Sequence, residues 1–396
     1  MLYRLFEKIN EADELRAVVL RDGQLQVRET PDPAPGTGEL LLKTLSTAIC
    51  ASDVHFMDHP ELAIDDPTGR SLYDAERDIV LGHEFVGEVV GHGPGCTDQF
   101  AVGSRVTAMP VRLVDGGAGG MRIIGQHPEA QGSFGELLVV SEVATKPVEG
   151  DVSSDAAALT DAFAVGEFYV RSAQIQPGEI AIVIGAGAIG LSAVAALASR
   201  GIEPIVVADF KSERRELARD SFGAHVVVNP AEMSGFDAFR EVRAERGLPG
   251  PAVVFECVGA AGLIQNIVES AEMATRIYCA GGWYTGDTLD ITTATRQGVT
   301  IQFGGGPHPQ DWYGTLEAIA AGRLDPLPSV GKIISLDEMP STSRAGPTGR
   351  RGSSCTPTEM AHDRARRPSR HLRVAGSLCH RDRPTRLVAL PHRVHR

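Results

Sequence analysis

Three places in the first half of the chain carry side chains that can bind a transition metal. Cys50 offers a thiolate, His83 and Glu84 offer an imidazole and a carboxylate, and Asp161 offers a second carboxylate. A catalytic zinc ion takes three protein ligands of these kinds and keeps a fourth position open. Each residue alone has an ordinary structural explanation, because buried cysteines pack and Asp after Thr often caps a helix. Their combination predicts one catalytic zinc site.

A glycine-rich turn at residues 185 to 190 predicts a dinucleotide site. It follows a short apolar strand and opens an Ala/Leu-rich helix, which is the context in which the GxGxxG pattern carries meaning. The first glycine permits a tight turn, the second lets the backbone approach the pyrophosphate, and the third lets helix and strand pack closely. The predicted cofactor-binding residues are Gly185, Gly187, Ala188, Ile189, Gly190, Asp209, Arg214 and Val258.

Asp209 decides which dinucleotide is expected. It ends the next apolar strand, nineteen residues after Gly190. An acid at that place binds both hydroxyls of the adenosine ribose and repels a 2′-phosphate. The sequence therefore predicts NAD rather than NADP, with a glycine-rich helix start that binds no ligand as the structural alternative.

The strands and helices that must position these residues follow two different sequence patterns, one in each part of the chain. Up to about residue 147 the chain has short β-rich runs separated by Gly, Pro and Asp, and residues 113 to 133 form a long glycine-rich excursion. From about residue 151 helical stretches alternate with fully apolar runs, which indicates a parallel sheet with crossover helices. The uncharged run at residues 180 to 199 is long enough for a membrane span, but its glycines favour a buried strand, turn and helix.

Composition limits the partners and the compartment. The formal net charge of −13 argues against nucleic acid and favours a small-molecule substrate. Six cysteines without a CxxC pair predict reduced thiols and a cytoplasmic protein, and the N-terminal residues show no secretion signal. After Met339 the amino-acid composition changes, since residues 341 to 396 hold thirteen Arg, no Lys and three acids. We interpret this tail as an aberrant, disordered end, with a nucleic-acid-binding arm as the alternative.

The order of these motifs gives a family resemblance. Cys50 with Ser52, Asp53 and His55, then Gly82-His83-Glu84, then the glycine turn resembles the zinc-containing medium-chain alcohol, sorbitol and threonine dehydrogenases over about residues 15 to 339. The phrase VFECVG at residues 254 to 259 fits the same family. The resemblance implies an α/β protein with a GroES-like β-barrel catalytic domain and a doubly wound parallel-sheet Rossmann domain. The implied boundaries are 1–14 for an extension, 15–160 for the catalytic domain, 161–305 for the Rossmann domain, 306–340 for a partial return to the catalytic domain, and 341–396 for the tail.

The resemblance also implies a mechanism. Zinc binds the alcohol oxygen and lowers its pKa while hydride passes to the nicotinamide of NAD. Ser52 takes the alcohol proton and passes it through the cofactor ribose to His55, and Asp53 orients the imidazole of His83. The third ligand falls at Asp161, where the family has Cys or Glu, with Glu84 as the alternative.

Two departures from the family are visible in the sequence. Relatives often hold a second, structural zinc with four cysteines, but residues 96 to 132 contain only Cys96, so we expect one zinc per chain. The helix and final strand that return to the barrel are not recognisable in the tail, which predicts an unstable or inactive protein. The alternatives are an inactive cofactor-binding relic and a zinc-free quinone reductase. Residues 299 to 303 resemble the edge strand that pairs across a two-fold axis in this family, so the resemblance implies a homodimer or homotetramer.

Overall fold

The structure is a computed structural model that describes residues 15–64, 66–97, 99–282, 286–340 and 386–389. The predicted extension at residues 1–14 and most of the predicted tail lie outside the described residues. Within the described part of the chain, no helix is both long and apolar enough to cross a membrane.

Strands dominate the first part of the chain, and helices alternate with strands in the second. The strands are β1 (Arg16–Arg21), β2 (Gln24–Glu29), β3 (Glu39–Ile49), β4 (Ile79–Val80), β5 (Glu84–His92), β6 (Arg105–Ala108), β7 (Val111–Leu113), β8 (Met121–Ile123), β9 (Leu137–Ser141), β10 (Thr145–Pro147), β11 (Ile180–Ile184), β12 (Ile205–Ala208), β13 (Val226–Val228), β14 (Ala252–Glu256), β15 (Arg276–Cys279), β16 (Thr300–Phe303), β17 (Lys332–Ile334) and β18 (Arg386–Ala389). The helices are α1 (Ala51–Asp58), α2 (Ser154–Ala158), α3 (Thr160–Ala173), α4 (Ala188–Ser199), α5 (Ser212–Asp220), α6 (Gly235–Arg246), α7 (Leu263–Ser270), α8 (Ile291–Gln297) and α9 (Pro309–Ala320).

The second half contains a parallel sheet of six strands in the order β13-β12-β11-β14-β15-β16. Helices cover both faces, so alternate residues of β11 enter different cores. Ala181 and Val183 pack with α3 and α4, whereas Ile180 and Ile182 pack with α6 and α7. Burial on both faces explains why the central strands β11 and β12 are apolar throughout. The predicted doubly wound Rossmann domain is confirmed.

The first half forms a barrel-like unit built around β3. This long strand pairs with β5 along most of its length and with β9 at its start, in a sheet of order β10-β6-β5-β3-β18-β17. A second sheet of order β2-β1-β4 packs beside it. The expected GroES-like domain is therefore present, and the predicted glycine-rich excursion contains the hairpin of β7 and β8.

One expectation about the tail is wrong. Four of its residues form β18, which runs parallel to β3, with Leu387 opposite Thr47, and antiparallel to β17, with Leu387 opposite Ile334. A strand does return to the barrel and joins β17 to β3. The sequence hid it because a run of four apolar residues, flanked by arginine and proline, is too short to stand out from the tail.

Candidate active site

Cys50 and the helix that follows it are positioned by the end of β3. The strand ends at Ile49, and Cys50 lies immediately before α1. The Asp53 carboxylate reaches back to this turn, where its Oδ2 accepts a hydrogen bond from the backbone N–H of Cys50 at 2.9 Å. Asp53 thus fixes the position of the thiol as well as the start of the helix.

His83 and Glu84 sit where β4 passes into β5. Gly82 precedes them with φ +92, and an added Cβ would lie 2.5 Å from the Phe134 ring, so only glycine fits there. His83 Nδ1 lies 3.1 Å from Asp53 Oδ1, and its Nε2 lies 3.2 Å from Ser52 Oγ. The expected contact between Asp53 and His83 is present. It leaves Nε2 as the nitrogen that can bind a metal.

The ligand atoms of Cys50, His83 and Glu84 lie within 4.8 Å of one another. His83 is 6% exposed and Glu84 1% exposed, yet neither carboxylate oxygen of Glu84 has a hydrogen-bond partner. A buried carboxylate without partners is costly, and a divalent cation bonded to it removes that cost. A soft thiolate, an imidazole and a carboxylate are also ligands that zinc accepts. The residues therefore fit a zinc ion.

The pKa values of Cys50, Glu84 and His83 set a condition for metal binding. Burial, together with the negative charge of Glu84, raises the pKa of the Cys50 thiol to about 11. Burial also raises the pKa of Glu84 to about 8, despite the neighbouring His83. Burial opposes a charge on His83, but Asp53 and Cys50 outweigh it and raise the pKa of His83 well above its ordinary value. A cation must displace protons to bind here.

Asp161 lies beside this group but is not a member of it. It occupies the first turn of α3, and its Oδ1 accepts a hydrogen bond from Trp312 Nε1 at 2.9 Å. Burial raises the pKa of Asp161, with Asp53 adding to the rise. The geometry favours Glu84, the alternative third ligand, over Asp161, which the sequence reasoning preferred.

A polar cavity of about 250 Å³ opens next to α1. Ser52 and His55, the residues expected to move the proton, both line it. The other lining residues are Phe56, His59, Ala63, Asp66, Pro67, Ser71 and Gln126. A larger cleft of about 550 Å³ lies between the start of α2 and the end of α9, and none of the candidate ligands lines it. The smaller cavity is therefore the candidate substrate site.

The glycine turn has the shape of a cofactor cradle. Gly185 has φ +91, and a Cβ there would lie 2.5 Å from Val258 Cγ2. A Cβ on Gly190 would lie 1.8 Å from the carbonyl oxygen of Gly185, so the helix approaches the strand as closely as the backbone allows. Gly187 precedes α4, whose first turn begins with Ala188 and Ile189 and has no side-chain cap. Such a helix N-terminus binds phosphate groups.

Asp209 lies just beyond β12 and faces this turn. Its Oδ2 accepts a hydrogen bond from the N–H of Ala186 at 2.8 Å, and its Oδ1 accepts one from Lys211 at 2.8 Å. Arg214, also buried, approaches Oδ2 at 3.7 Å. The structure thus brings the predicted cofactor-binding residues to one end of the parallel sheet.

Sequence reasoning missed two residues of the site. Glu256 ends β14, and its Oε1 accepts hydrogen bonds from the N–H groups of Val258 and Gly259, which shapes the turn opposite Gly185. Its signal was available, because it is an acid at the end of an otherwise apolar strand. Trp312 carried no such signal, since 151 residues separate it from Asp161.

The segment around the hairpin of β7 and β8 is attached to the barrel by side-chain contacts. Arg112 on β7 makes two hydrogen bonds to the buried Glu39 carboxylate, at 2.7 and 2.8 Å. Arg112 Nη1 also donates to the carbonyl oxygen of Glu129 at 2.5 Å, and Cys96 donates to the carbonyl oxygen of Glu39. Paired guanidinium and carboxylate groups give this segment a rigid attachment. One zinc per chain stays a prediction.

Comparison with known proteins gives the same assignment for both halves. A family model described as "Alcohol dehydrogenase GroES-like domain" matches residues 36–149, and one described as "Zinc-binding dehydrogenase" matches residues 188–321. L-threonine 3-dehydrogenase of Escherichia coli is 30% identical over 320 residues, which are 78% of this chain and 89% of that enzyme. (R,R)-butanediol dehydrogenase of Neisseria gonorrhoeae is 26% identical over 329 residues, 80% of this chain and 91% of that enzyme.

A solved structure shares the fold. The crystal structure of 2R,3R-butanediol dehydrogenase from Bacillus subtilis has a TM-score of 0.69 at 22% identity and covers 85% of this chain and 96% of its own. With the metal-ligand group, the glycine cradle and these matches, the chain belongs to the zinc-dependent medium-chain alcohol dehydrogenase family, whose members are oxidoreductases that transfer hydride between an alcohol and a nicotinamide cofactor.

Proposed function

We propose that this protein oxidises a secondary hydroxyl of a small diol or polyol to the ketone, with NAD as hydride acceptor and one zinc ion per chain, or runs the reverse reduction. The observation that carries the proposal is the group of Cys50, His83 and the unpartnered Glu84 carboxylate within 4.8 Å. Those three residues hold the zinc. Asp161, preferred from the sequence, becomes a neighbour of the metal in this proposal.

The chain's own residues orient the substrate and move the proton. When bound, zinc supplies a Lewis acid at the substrate oxygen and the nicotinamide ring supplies the hydride acceptor. Ser52 Oγ, next to His83 Nε2, takes the hydroxyl proton as it gives up its own, and His55 on the same helix passes the released proton to water. Asp53 holds His83 in the tautomer that keeps Nε2 free for the metal.

The proposed preference for NAD rests on Asp209. Its carboxylate is held by two backbone N–H groups at the place where a 2′-phosphate would lie. Arg214 partly offsets that charge at 3.7 Å, so we expect NADP to be a poorer substrate and not an excluded one.

The proposed substrate class follows from the lining of the cavity next to α1. Six of its nine lining residues are polar, so a substrate with a second hydroxyl finds hydrogen-bond partners there that a simple alkyl alcohol does not use. Among them, Ser71 Oγ donates to Gln126 Oε1 at 3.1 Å and holds the amide in place. The butanediol dehydrogenase relatives support the same class.

We also propose a homodimer, formed across the edge of the parallel sheet, and a cytoplasmic location. β16 is the last strand in the sheet order, and Phe303 at its end is 62% exposed. Two such edges can pair across a two-fold axis. The expected cytoplasmic location is supported by the described cysteines, which are free thiols.

The first test measures zinc and activity on the same folded, monodisperse protein. We expect about one zinc per chain and NAD reduction with vicinal diols and polyols that exceeds the rates with simple secondary alcohols and with L-threonine. Ser52→Ala should keep the zinc and lower kcat by about 10²- to 10⁴-fold, because it removes the first proton acceptor. NADP is assayed in parallel.

Other results would favour one of the alternative functions. Folded protein that binds NAD but no zinc would support the cofactor-binding relic. Zinc-free protein that reduces quinones would support the quinone reductase. L-Threonine as the best substrate would keep the chemistry and overturn the diol assignment.

A further inference from the structure

A hydrogen bond from a buried indole controls the second carboxylate beside the metal-ligand group. Trp312 on α9 is 1% exposed and packs among Val86 and Leu316, so its ring has little freedom to turn. Its Nε1–H donates to Asp161 Oδ1 at 2.9 Å. The acid therefore has a fixed partner on one of its two oxygens.

The two carboxylates near His83 are thus in opposite situations. Glu84 is buried, and both of its oxygens lack a hydrogen-bond partner. Asp161 has a partner, retains some solvent exposure and is not in the group of ligand atoms within 4.8 Å. The two acids are close enough to interact electrostatically. A metal ion bound here would therefore have two carboxylates nearby. Of these, Glu84 lies in the ligand group and lacks hydrogen-bond partners.

We propose that Trp312 is a positioning residue that holds Asp161 away from the metal and so assigns Glu84 as the third protein ligand. Asp is also one methylene shorter than Glu, so α3 would have to approach the group for Asp161 to bind. The indole contact opposes that approach. This inference rests on the proposed zinc-dependent function and adds the choice of ligand to it.

The test replaces zinc with Co²⁺ in the full-length protein and records the visible absorption spectrum, which reports the ligands and the coordination number. Trp312→Phe keeps an aromatic ring and removes the N–H donor. Asp161→Asn keeps an acceptor for Trp312 and removes the charge. Tyr313→Phe is the control, because Tyr313 packs edge-to-face on Trp312 and the hydrogen bond to Asp161 comes from the indole.

We expect wild type, Tyr313→Phe and Asp161→Asn to share one spectrum, since Asp161 is not a ligand in any of them. Glu84→Gln should weaken Co²⁺ binding by more than about 10-fold, as expected when a ligand is lost. Trp312→Phe should change the spectrum towards higher coordination, because the released Asp161 can then reach the metal. The double variant Trp312→Phe, Asp161→Asn should restore the original spectrum.

Two outcomes would overturn the inference while leaving the proposed function intact. One is an Asp161→Asn protein that loses the spectrum as Glu84→Gln does, and the other is a Trp312→Phe protein whose spectrum equals wild type. If Trp312→Phe does not fold, Asp161→Asn alone decides between ligand and neighbour. A wild-type protein without any cobalt spectrum would instead refute the zinc site itself.

Discussion

At the scale of single residues, Glu84 links metal binding to pH. In the metal-free protein, burial raises the pKa of Glu84 to about 8 and that of Cys50 to about 11. A group whose pKa is raised on folding stabilises the folded state at low pH, and that contribution is lost as pH rises through the folded value. Metal-free protein should therefore lose stability between the ordinary carboxyl pKa and about 8.

Zinc should reverse that dependence. Binding displaces protons from Glu84, Cys50 and His83, so we expect zinc affinity to rise about tenfold per pH unit for each displaced proton between about pH 6 and 8. Competition with a chromophoric chelator measures the slope. Glu88→Gln, on the same strand and outside the ligand group, should keep the wild-type slope. An affinity that does not change with pH would contradict the assignment.

The sequence identified the residue types of the site but not their roles. Cys50, His83 and the glycine turn stand in motifs whose local spacing is informative, so they were predicted. In our proposal, the choice between Glu84 and Asp161 as the third metal ligand depends on Trp312. Trp312 contacts α3 only because folding brings α9 next to it. A contact between residues that far apart leaves no local pattern.

At the scale of elements, the edge of the parallel sheet makes a prediction about assembly. An acid in place of Phe303 puts a charge at the proposed pairing edge, where the partner copy would bring the same charge. We expect Phe303→Asp to convert the dimer to a monomer by light scattering, with the fold retained. Val143→Asp is the control, since Val143 is also exposed, at 71%, and lies in the barrel half.

A wild-type chain that is monomeric at assay concentrations would refute the pairing directly. A Phe303→Asp protein that stays dimeric would place the interface elsewhere.

How clearly a strand could be predicted from the sequence depended on how completely its residues are buried. The central strands β11, β12 and β14 stood out because both of their faces are covered, which makes them almost continuously apolar. The hairpin of β7 and β8 did not, because its residues are only partly buried and its attachment depends on the distant Glu39. Short strands held by side-chain pairs give no periodic signal.

At the scale of the whole molecule, β18 makes the unusual tail important for the stability of the barrel. Deleting residues 341–396 removes this strand and leaves β3 and β17 without their shared partner. Each lost backbone hydrogen bond contributes about 0.5–1.5 kcal/mol, so loss of several should lower Tm by about 5 °C or more. Calorimetry of this truncation is compared with a chain that lacks only residues 392–396, which retains β18.

Equal Tm values for the two truncated chains would mean that β18 does not stabilise the barrel. That result would return the tail to the interpretation made from its composition. A lower Tm only in the longer truncation would show that a stabilising strand lies within residues 341–391.

The attachment of β18 has a consequence for how this end of the chain can evolve. Residues 341 to 385 separate it from the last described turn after β17, yet its contacts with β3 and β17 are backbone pairings. The entropy of closing a loop grows slowly with length, and each doubling costs only about 0.6 kcal/mol. A change in the number of residues in that interval therefore adds little to the entropic cost of bringing β18 to the barrel. Selection needs to preserve only a few consecutive residues that accept an extended backbone.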